Sequence, residues 1–466
     1  MAVSLQPPAQ PPAQESAQQS GRRGRRWRWF VPGLGVKRYI LLLSLGLMVL
    51  VVGFTQFARM GPANRFFNSI VITLSEVSRG GRLPLWTFGV GLTTVGAVMV
   101  SLGVVGLNRS ILRAMGTAPE DTLDRMFVAR ALHRGPRIVA IGGGTGLSNL
   151  LAGLKRYSAN LTGIVAVTDD GGSSGRLREM LGMPAPGDLT DCYAALSDSP
   201  ILASLLTHRF ERGAGLEGHT FGNLLLATLS EERGFAQATL AVNEILNVRG
   251  SVVPATSQAV VLLSELSDGR VVRGESALRL EKREQRVVRA RLEPANPPAM
   301  QAALEAIGDA ELIVIGPGSL FTSIIPPLLV PEVAAAIRGS AARVAYVSNI
   351  MTEAGETDGM DALEHVRVLE THLGRKPDVI LVNDSRIPTE TLERYRLELA
   401  EVVIVNRVEI ERAGIEVYPA SLAVDGGAQH DPRVLALALV RLLAERRGGK
   451  GFAWMVSGLA KRFVRN

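Results

Sequence analysis

Cysteine is nearly absent: the 466-residue chain has one, Cys192. A single thiol excludes an internal disulfide framework and any cysteine-cluster metal site. Histidine is scarce too, with six residues and no HExxH pair, which removes the helical zinc-protease pattern. Two common nucleotide signatures are incomplete. Gly142 and Gly144 open a G-x-G-x-x-G fingerprint, but its sixth position is Leu147. A P-loop needs a lysine after its last glycine, and Leu147 follows Gly146 instead. Charge is missing altogether from two apolar stretches, Tyr39–Phe57 and Leu85–Leu107, each about as long as a bilayer-spanning helix. With no ionisable residue inside them, they give no support to a transport pathway.

Glycine loops are what the chain has in place of those signatures. It is organised around Arg137–Arg176, where the apolar run Ile138–Ile141 reads as a buried strand. Gly142, Gly143, Gly144, Thr145 and Gly146 follow, and then Leu147, Leu150, Leu151 and Leu154 at helical spacing. Strand, glycine turn and helix present free backbone N–H groups, at the positive end of a helix dipole, to an anion. A second strand, Ile164–Thr168, delivers Asp169 and Asp170 into Gly171, Gly172, Ser173, Ser174, Gly175 and Arg176. The first loop suits phosphate. The second offers carboxylates for sugar hydroxyls or a metal, together with hydroxyls and a guanidinium.

These residues resemble a known family. IGGGTG, VTDDGGSSGRLR and APGD (Ala185–Asp188) are similar to the signature of the YvcK-like gluconeogenesis factors, in the superfamily of CofD, the 2-phospho-L-lactate transferase. The resemblance runs on through GHTFGNL (Gly218–Leu224), GES (Gly274–Ser276), IGPGSLFTSIIP (Ile315–Pro326) and SNIMTEAGETDGM (Ser348–Met360), and spans Pro136 to Leu443 in unbroken order. At Thr190-Asp191 the family pattern usually has Arg-Asn, so of this motif only Asp188 is carried over.

Taken in order, residues 1–36 form a disordered basic leader with Pro7, Pro8, Pro11 and Pro12 among Gln and Ala. Its run Arg22, Arg23, Arg25, Arg26 and Arg28 precedes the first apolar stretch, which favours a membrane flank over nucleic acid. Residues 37–108 then read as a two-span hairpin, with Gly89, Gly91, Gly96, Gly103 and Gly106 allowing close helix approach. The loop between the spans is less basic than either flank, which places the N-terminus and everything after Asn108 in the cytoplasm. Residues 109–135 are a linker, 136–445 the globular domain and 446–466 a basic amphipathic tail suited to anionic lipid.

Within the domain, Asp188 stands at a helix start, where it either caps the helix or faces a ligand. His219, Thr220 and Asn223 open another helix, and Cys192 reads as a small buried hydrophobe. Val260–Glu293 is expected to form antiparallel strands with turns at Ser267–Gly269 and Arg273–Glu275. A third glycine loop follows Leu312–Ile315 and offers Gly316, Gly318, Ser319, Thr322 and Ser323. Val344–Val347, ending in Ser348 and Asn349, Asp378–Val382 and Val402–Val405 complete a set of strands alternating with helices. That alternation predicts an α/β fold with a mostly parallel sheet and helices on both faces, its ligand loops at the carboxyl edge.

The residues thus imply a ligand with two phosphates and at least one sugar. The resemblance implies a Rossmann-like CofD fold and a UDP-sugar such as UDP-N-acetylglucosamine. It also implies a role in cell shape and in growth on gluconeogenic carbon. No reaction is assigned to such proteins, so the expectation is a regulatory nucleotide-sugar-binding protein on the inner face of the cell membrane. Cell-wall synthesis proteins are its expected partners, nucleic acid is not, and a homodimer is admitted. The expected ligand residues are Gly142–Gly146, Asp169, Asp170, Gly172, Ser173, Ser174, Arg176, Asp188, Asn223, Gly316, Gly318, Ser319, Thr322 and Asn349. No cofactor is firmly implied. The alternative is a CofD-like transferase moving a phospholactyl group from a guanosine diphosphate donor to a deazaflavin, with Mg²⁺ on Asp169 and Asp170.

Overall fold

A computed structural model describes residues 36–58, 72, 85–114, 131–280 and 285–447. The proline-rich leader with its arginine run, most of the loop between the apolar stretches, nearly all of the linker and the basic tail lie outside these residues. The chain divides into two compact units, Met1–Val128 and Ala129–Asn466.

In the first unit the described residues form two helices, α1 (Val36–Ala58) and α2 (Leu85–Ala114). They pack along each other through glycine. A Cβ on Gly96 would lie 2.8 Å from the Leu50 nitrogen and 3.0 Å from the Gly46 carbonyl, so the two backbones touch where only glycine fits. Gly89–Leu107 of α2 is long and apolar enough to cross a membrane, whereas the described apolar part of α1, Leu41–Val52, is shorter.

The second unit is built on a seven-stranded, all-parallel sheet. In chain order its elements are β1 (Ile138–Gly142), α3 (Gly144–Leu154), β2 (Leu161–Val165), α4 (Gly172–Leu181), α5 (Gly187–Leu196) and α6 (Pro200–Thr207). Then come α7 (Phe221–Arg233), α8 (Phe235–Leu246), β3 (Ser251–Pro254), β4 (Val261–Leu266), β5 (Val271–Arg273), α9 (Glu275–Leu280) and β6 (Val287–Glu293). The rest are α10 (Gln301–Asp309), β7 (Leu312–Ile315), a π-helical turn at Leu320–Ile324, α11 (Ile325–Leu328), α12 (Pro331–Gly339), β8 (Arg343–Val347), α13 (Ala362–Leu373), β9 (Val379–Asn383), α14 (Thr389–Leu397), α15 (Arg407–Arg412), β10 (Glu416–Ala420) and α16 (Pro432–Arg447).

The sheet order is β10-β9-β8-β7-β1-β2-β3. From β1 the chain winds outward to β2 and β3, then returns to β7 on the other side of β1 and winds outward again. The order therefore reverses between β1 and β7, and the loops leaving their carboxyl ends diverge there to leave a crevice. Both strands are apolar throughout and fully buried, as helices on both faces of a parallel sheet require. Each such valine or isoleucine adds roughly 2 kcal/mol of burial.

Three expectations need correction. The strand after α3 is Leu161–Val165 rather than Ile164–Thr168, so Ala166–Thr168 is buried loop at the crevice. The antiparallel region is real, as a separate sheet in the order β5-β4-β6, but Arg273–Glu275 is no hairpin turn. It starts α9, whose second residue, Ser276, donates its backbone N–H to Asp170 Oδ1 at 2.9 Å, a long-range cap. Val402–Val405 is no strand of the main sheet. It makes one isolated bridge, Met351 to Val402, and only Val403 of the run is buried, while Ile404 is 71% exposed; the edge strand is β10.

Candidate functional site

Four loops meet at the switch point. The β1 loop and the β7 loop lie against each other: a Cβ on Gly146 would collide with the Pro317 carbonyl, so only glycine lets α3 start this close to the opposite loop. Gly144 has φ +59° and Gly316 φ +79°, both left-handed conformations that glycine adopts without strain. The N-cap of α3 is Gly143, which has no side chain to cap the helix; the Gly144 N–H at its start is held by Asp188.

Asp188 settles its own alternatives. The N-cap of α5 is Pro186, with no side-chain cap, so Asp188 is not the cap. Its carboxylate lies where a Cβ on Gly143 would sit and accepts from the backbone of Gly144. Burial, reinforced by the nearby charge of Asp169, pushes its pKa up to about 7. Asp169 accepts the Gly171 N–H at 3.0 Å through Oδ1. Asp170 points away to cap α9 and packs against Gly274. Beneath them the buried Glu275 accepts from Thr168 Oγ1 at 2.6 Å, and burial raises its pKa well above the carboxylate range.

Ser173 and Asn223 hold this loop from behind. Asn223 Nδ2 donates to Ser173 Oγ at 3.0 Å, and Thr190 Oγ1 lies 2.8 Å from Asn223 Oδ1. The Ser173 hydroxyl sits 2.9 Å from His219 Nδ1. A hydroxyl oxygen has two lone pairs, so beside the Asn223 bond it pairs with His219 Nδ1 in either tautomer of the ring. Burial, with Arg176 and Arg209 nearby, lowers the His219 pKa and favours the neutral ring. Thr220 caps α7 by accepting the Asn223 N–H, fixing that side chain from a second direction. Ser174 is buried against Gly187, Gly172 has φ +49°, and the exposed Arg176 donates to the Glu217 carbonyl at 2.8 Å.

On the β7 and β8 side, Thr322 and the Phe321 N–H donate to the buried Glu356, which burial and the neighbouring Glu353 push up to about 7. Ser319 bonds Glu353, whose pKa burial also raises, and Asn349 Nδ2 donates to Glu353 Oε1 at 3.2 Å. Arg279 on α9 adds positive potential toward Asp188, Glu353 and Glu356. Among the described residues no three His, Cys, Asp or Glu side chains are placed to hold a metal ion.

The structure thus brings Gly142–Gly146, Asp169, Asp188, Gly316, Gly318, Ser319 and Asn349 to one crevice. Ser173 and Asn223 support it, while Asp170 and Thr322 are engaged with α9 and Glu356. Glu275, Glu353, Glu356 and His430 are functional candidates that sequence reasoning passed over. Glu275, Glu353 and Glu356 sit inside the quoted motifs, so the signal was present; His430 carried none.

The chain is a doubly wound α/β protein whose glycine loops and acidic side chains close on its switch point, the place where such sheets bind ligands. A family model described as 2-phospho-L-lactate transferase CofD matches residues 138–423, and the chain belongs to that family. A Deinococcus radiodurans protein is 51% identical over 90% of each chain. The "Gluconeogenesis factor" of Bacillus subtilis is 43% identical over 66% of this chain and 99% of its own length, which places the chain with the gluconeogenesis factors. A solved Bacillus halodurans structure aligns with a TM-score of 0.63 and 42% identity, over 66% of this chain and 99% of that one.

Proposed function

We propose that the crevice binds a UDP-sugar of the UDP-N-acetylglucosamine type, and that the protein acts as a regulator rather than a catalyst. The observation that carries this reading is the meeting of the β1 and β7 glycine loops at the switch point, next to the start of α3, a place suited to a diphosphate. Gly143–Gly146 contact the diphosphate. Asp169 and Asp188 accept from hydroxyls, and Arg176 completes the anion site. The helices α1 and α2, packed through Gly46 and Gly96, anchor the chain as a hairpin in the membrane, with the second unit on the cytoplasmic side near cell-wall synthesis. Binding there links nucleotide-sugar supply to cell shape during gluconeogenic growth.

A second reading, phospholactyl transfer from a guanosine diphosphate donor to a deazaflavin alcohol, draws support from Asp188. A carboxyl with a pKa of about 7 in a phosphate site is poised to take a proton from an attacking hydroxyl. Mg²⁺ holds phosphates with one or two carboxylates; Asp170 is spent on Ser276 and Asp188 is kept for the proton, so Asp169 is the carboxylate that would supply this. Bound there, it would offset phosphate charge. Calorimetry decides between the readings: UDP-N-acetylglucosamine and GDP with Mg²⁺ are titrated into the protein, and a deazaflavin alcohol is added to test turnover. UDP-sugar binding without product supports the regulator. Preference for GDP with product formed supports the transferase.

A further inference from the structure

A half-open cavity of about 250 Å³ adjoins the glycine loops, with Glu353 on one wall. One wall is Gly146 and Asn149 of α3, another is Asn349–Glu353 after β8, and the third is Ala428–Pro432 before α16. Its volume falls below the roughly 300–1,000 Å³ that encloses a whole drug-sized ligand, and so suits one ring. Leu150, Ile350, Met351, Tyr395 and Leu435 make most of it apolar. Yet two buried polar atoms here have no partner in the protein: Asn349 Oδ1 and His430 Nε2.

Both atoms are acceptors, and the structure fixes them as such. Asn349 is oriented by its Nδ2, which donates to Glu353, so its oxygen is the end left free. The His430 ring is bonded to the backbone of Ser348 through its other nitrogen. Burial lowers its pKa to about 4, so at neutral pH the ring carries one proton, spent on that bond. A buried acceptor without a donor costs about 1–3 kcal/mol, so a ligand that brings N–H groups to this pair gains by satisfying them.

We propose that this cavity is the base subsite of the nucleotide ligand: the N1–H and exocyclic N2–H of a guanine-type base would reach both Asn349 Oδ1 and His430 Nε2, whereas a uracil, with N3–H alone, would serve one of them. The assignment rests on the nucleotide reading above. A flat heterocycle fits an apolar slot with two acceptors better than a pyranose, whose hydroxyls call for polar groups all round. The base would then enter beside Gly146, next to the diphosphate loop.

The test is calorimetry on the purified full-length chain with paired probes. UDP-N-acetylglucosamine is compared with its N3-methyl-uracil derivative, and GDP with N1-methyl-GDP. Methylation removes the donated proton and leaves the phosphates and sugar untouched. The inference predicts that methylation of whichever base binds weakens it at least about tenfold, and that His430→Phe loses the same discrimination. Because the methylated probes meet the wild-type protein, a misfolded variant cannot obscure the result. The source of the base is read from which pair binds. Binding indifferent to methylation overturns the base subsite and leaves the nucleotide reading standing. Failure of all four probes to bind overturns the nucleotide reading, and the subsite with it.

Discussion

Asp188 is a buried carboxyl at the crevice floor whose pH behaviour is open to measurement. Its carboxyl is raised from 3.8 to about 7, so folding tightens its hold on a proton. Its contribution to stability is therefore complete below about pH 4 and is lost as pH rises through about 7. Asp188→Asn, which keeps the neutral form, should gain stability relative to the wild type at pH 8 and lose that advantage at pH 5. Urea midpoints at the two pH values measure it, and a pH-independent difference would contradict the raised carboxyl. Asp169 acts at the same scale. Asp169→Ala should weaken UDP-N-acetylglucosamine by at least about 1 kcal/mol, the order of one charged hydrogen bond, and calorimetry reads it. Unchanged affinity in a folded variant would remove Asp169 from the site.

Among the elements, the starts of the helices separate ligand geometry from stability. Gly146 lets α3 begin against the β7 loop. Gly146→Ala pushes a methyl group into the Pro317 carbonyl and should cost on the order of 1–3 kcal/mol, with ligand binding lost along with the loop contact. Asp361 offers the contrast. It forms a full capping box with Glu364 on α13, and Asp361→Ala should cost about 1 kcal/mol, seen as a lower Tm, while UDP-sugar affinity stays the same. The sequence could show the strand-glycine-helix units because strand run, turn glycines and helical spacing lie within about twenty residues of each other. Relations between distant segments were not legible there. Glu275 bonded to Thr168, Asp170 capping α9 and His430 sharing a cavity with Asn349 depend on which loops the sheet order brings together, and no local pattern encodes that. The run Val402–Val405 misled for a related reason: β-branched residues favour extended chain whether they end up in a sheet or on a surface.

For the whole molecule, the division into an apolar helical unit and an α/β unit predicts two separable properties. The full chain should remain with membranes through an alkaline carbonate wash, whereas a chain beginning at Ala129 should not. Release of the full chain by that wash would contradict the hairpin anchor. The central claim concerns the α/β unit, in which loops scattered through the sequence act as one ligand site. Hydrogen–deuterium exchange of the full-length protein with and without UDP-N-acetylglucosamine tests it directly. The account predicts joint protection of the segments after β1, β2, β7 and β8, with the capping box of α13 unchanged. Protection confined to one of these segments, or found only elsewhere, would contradict it.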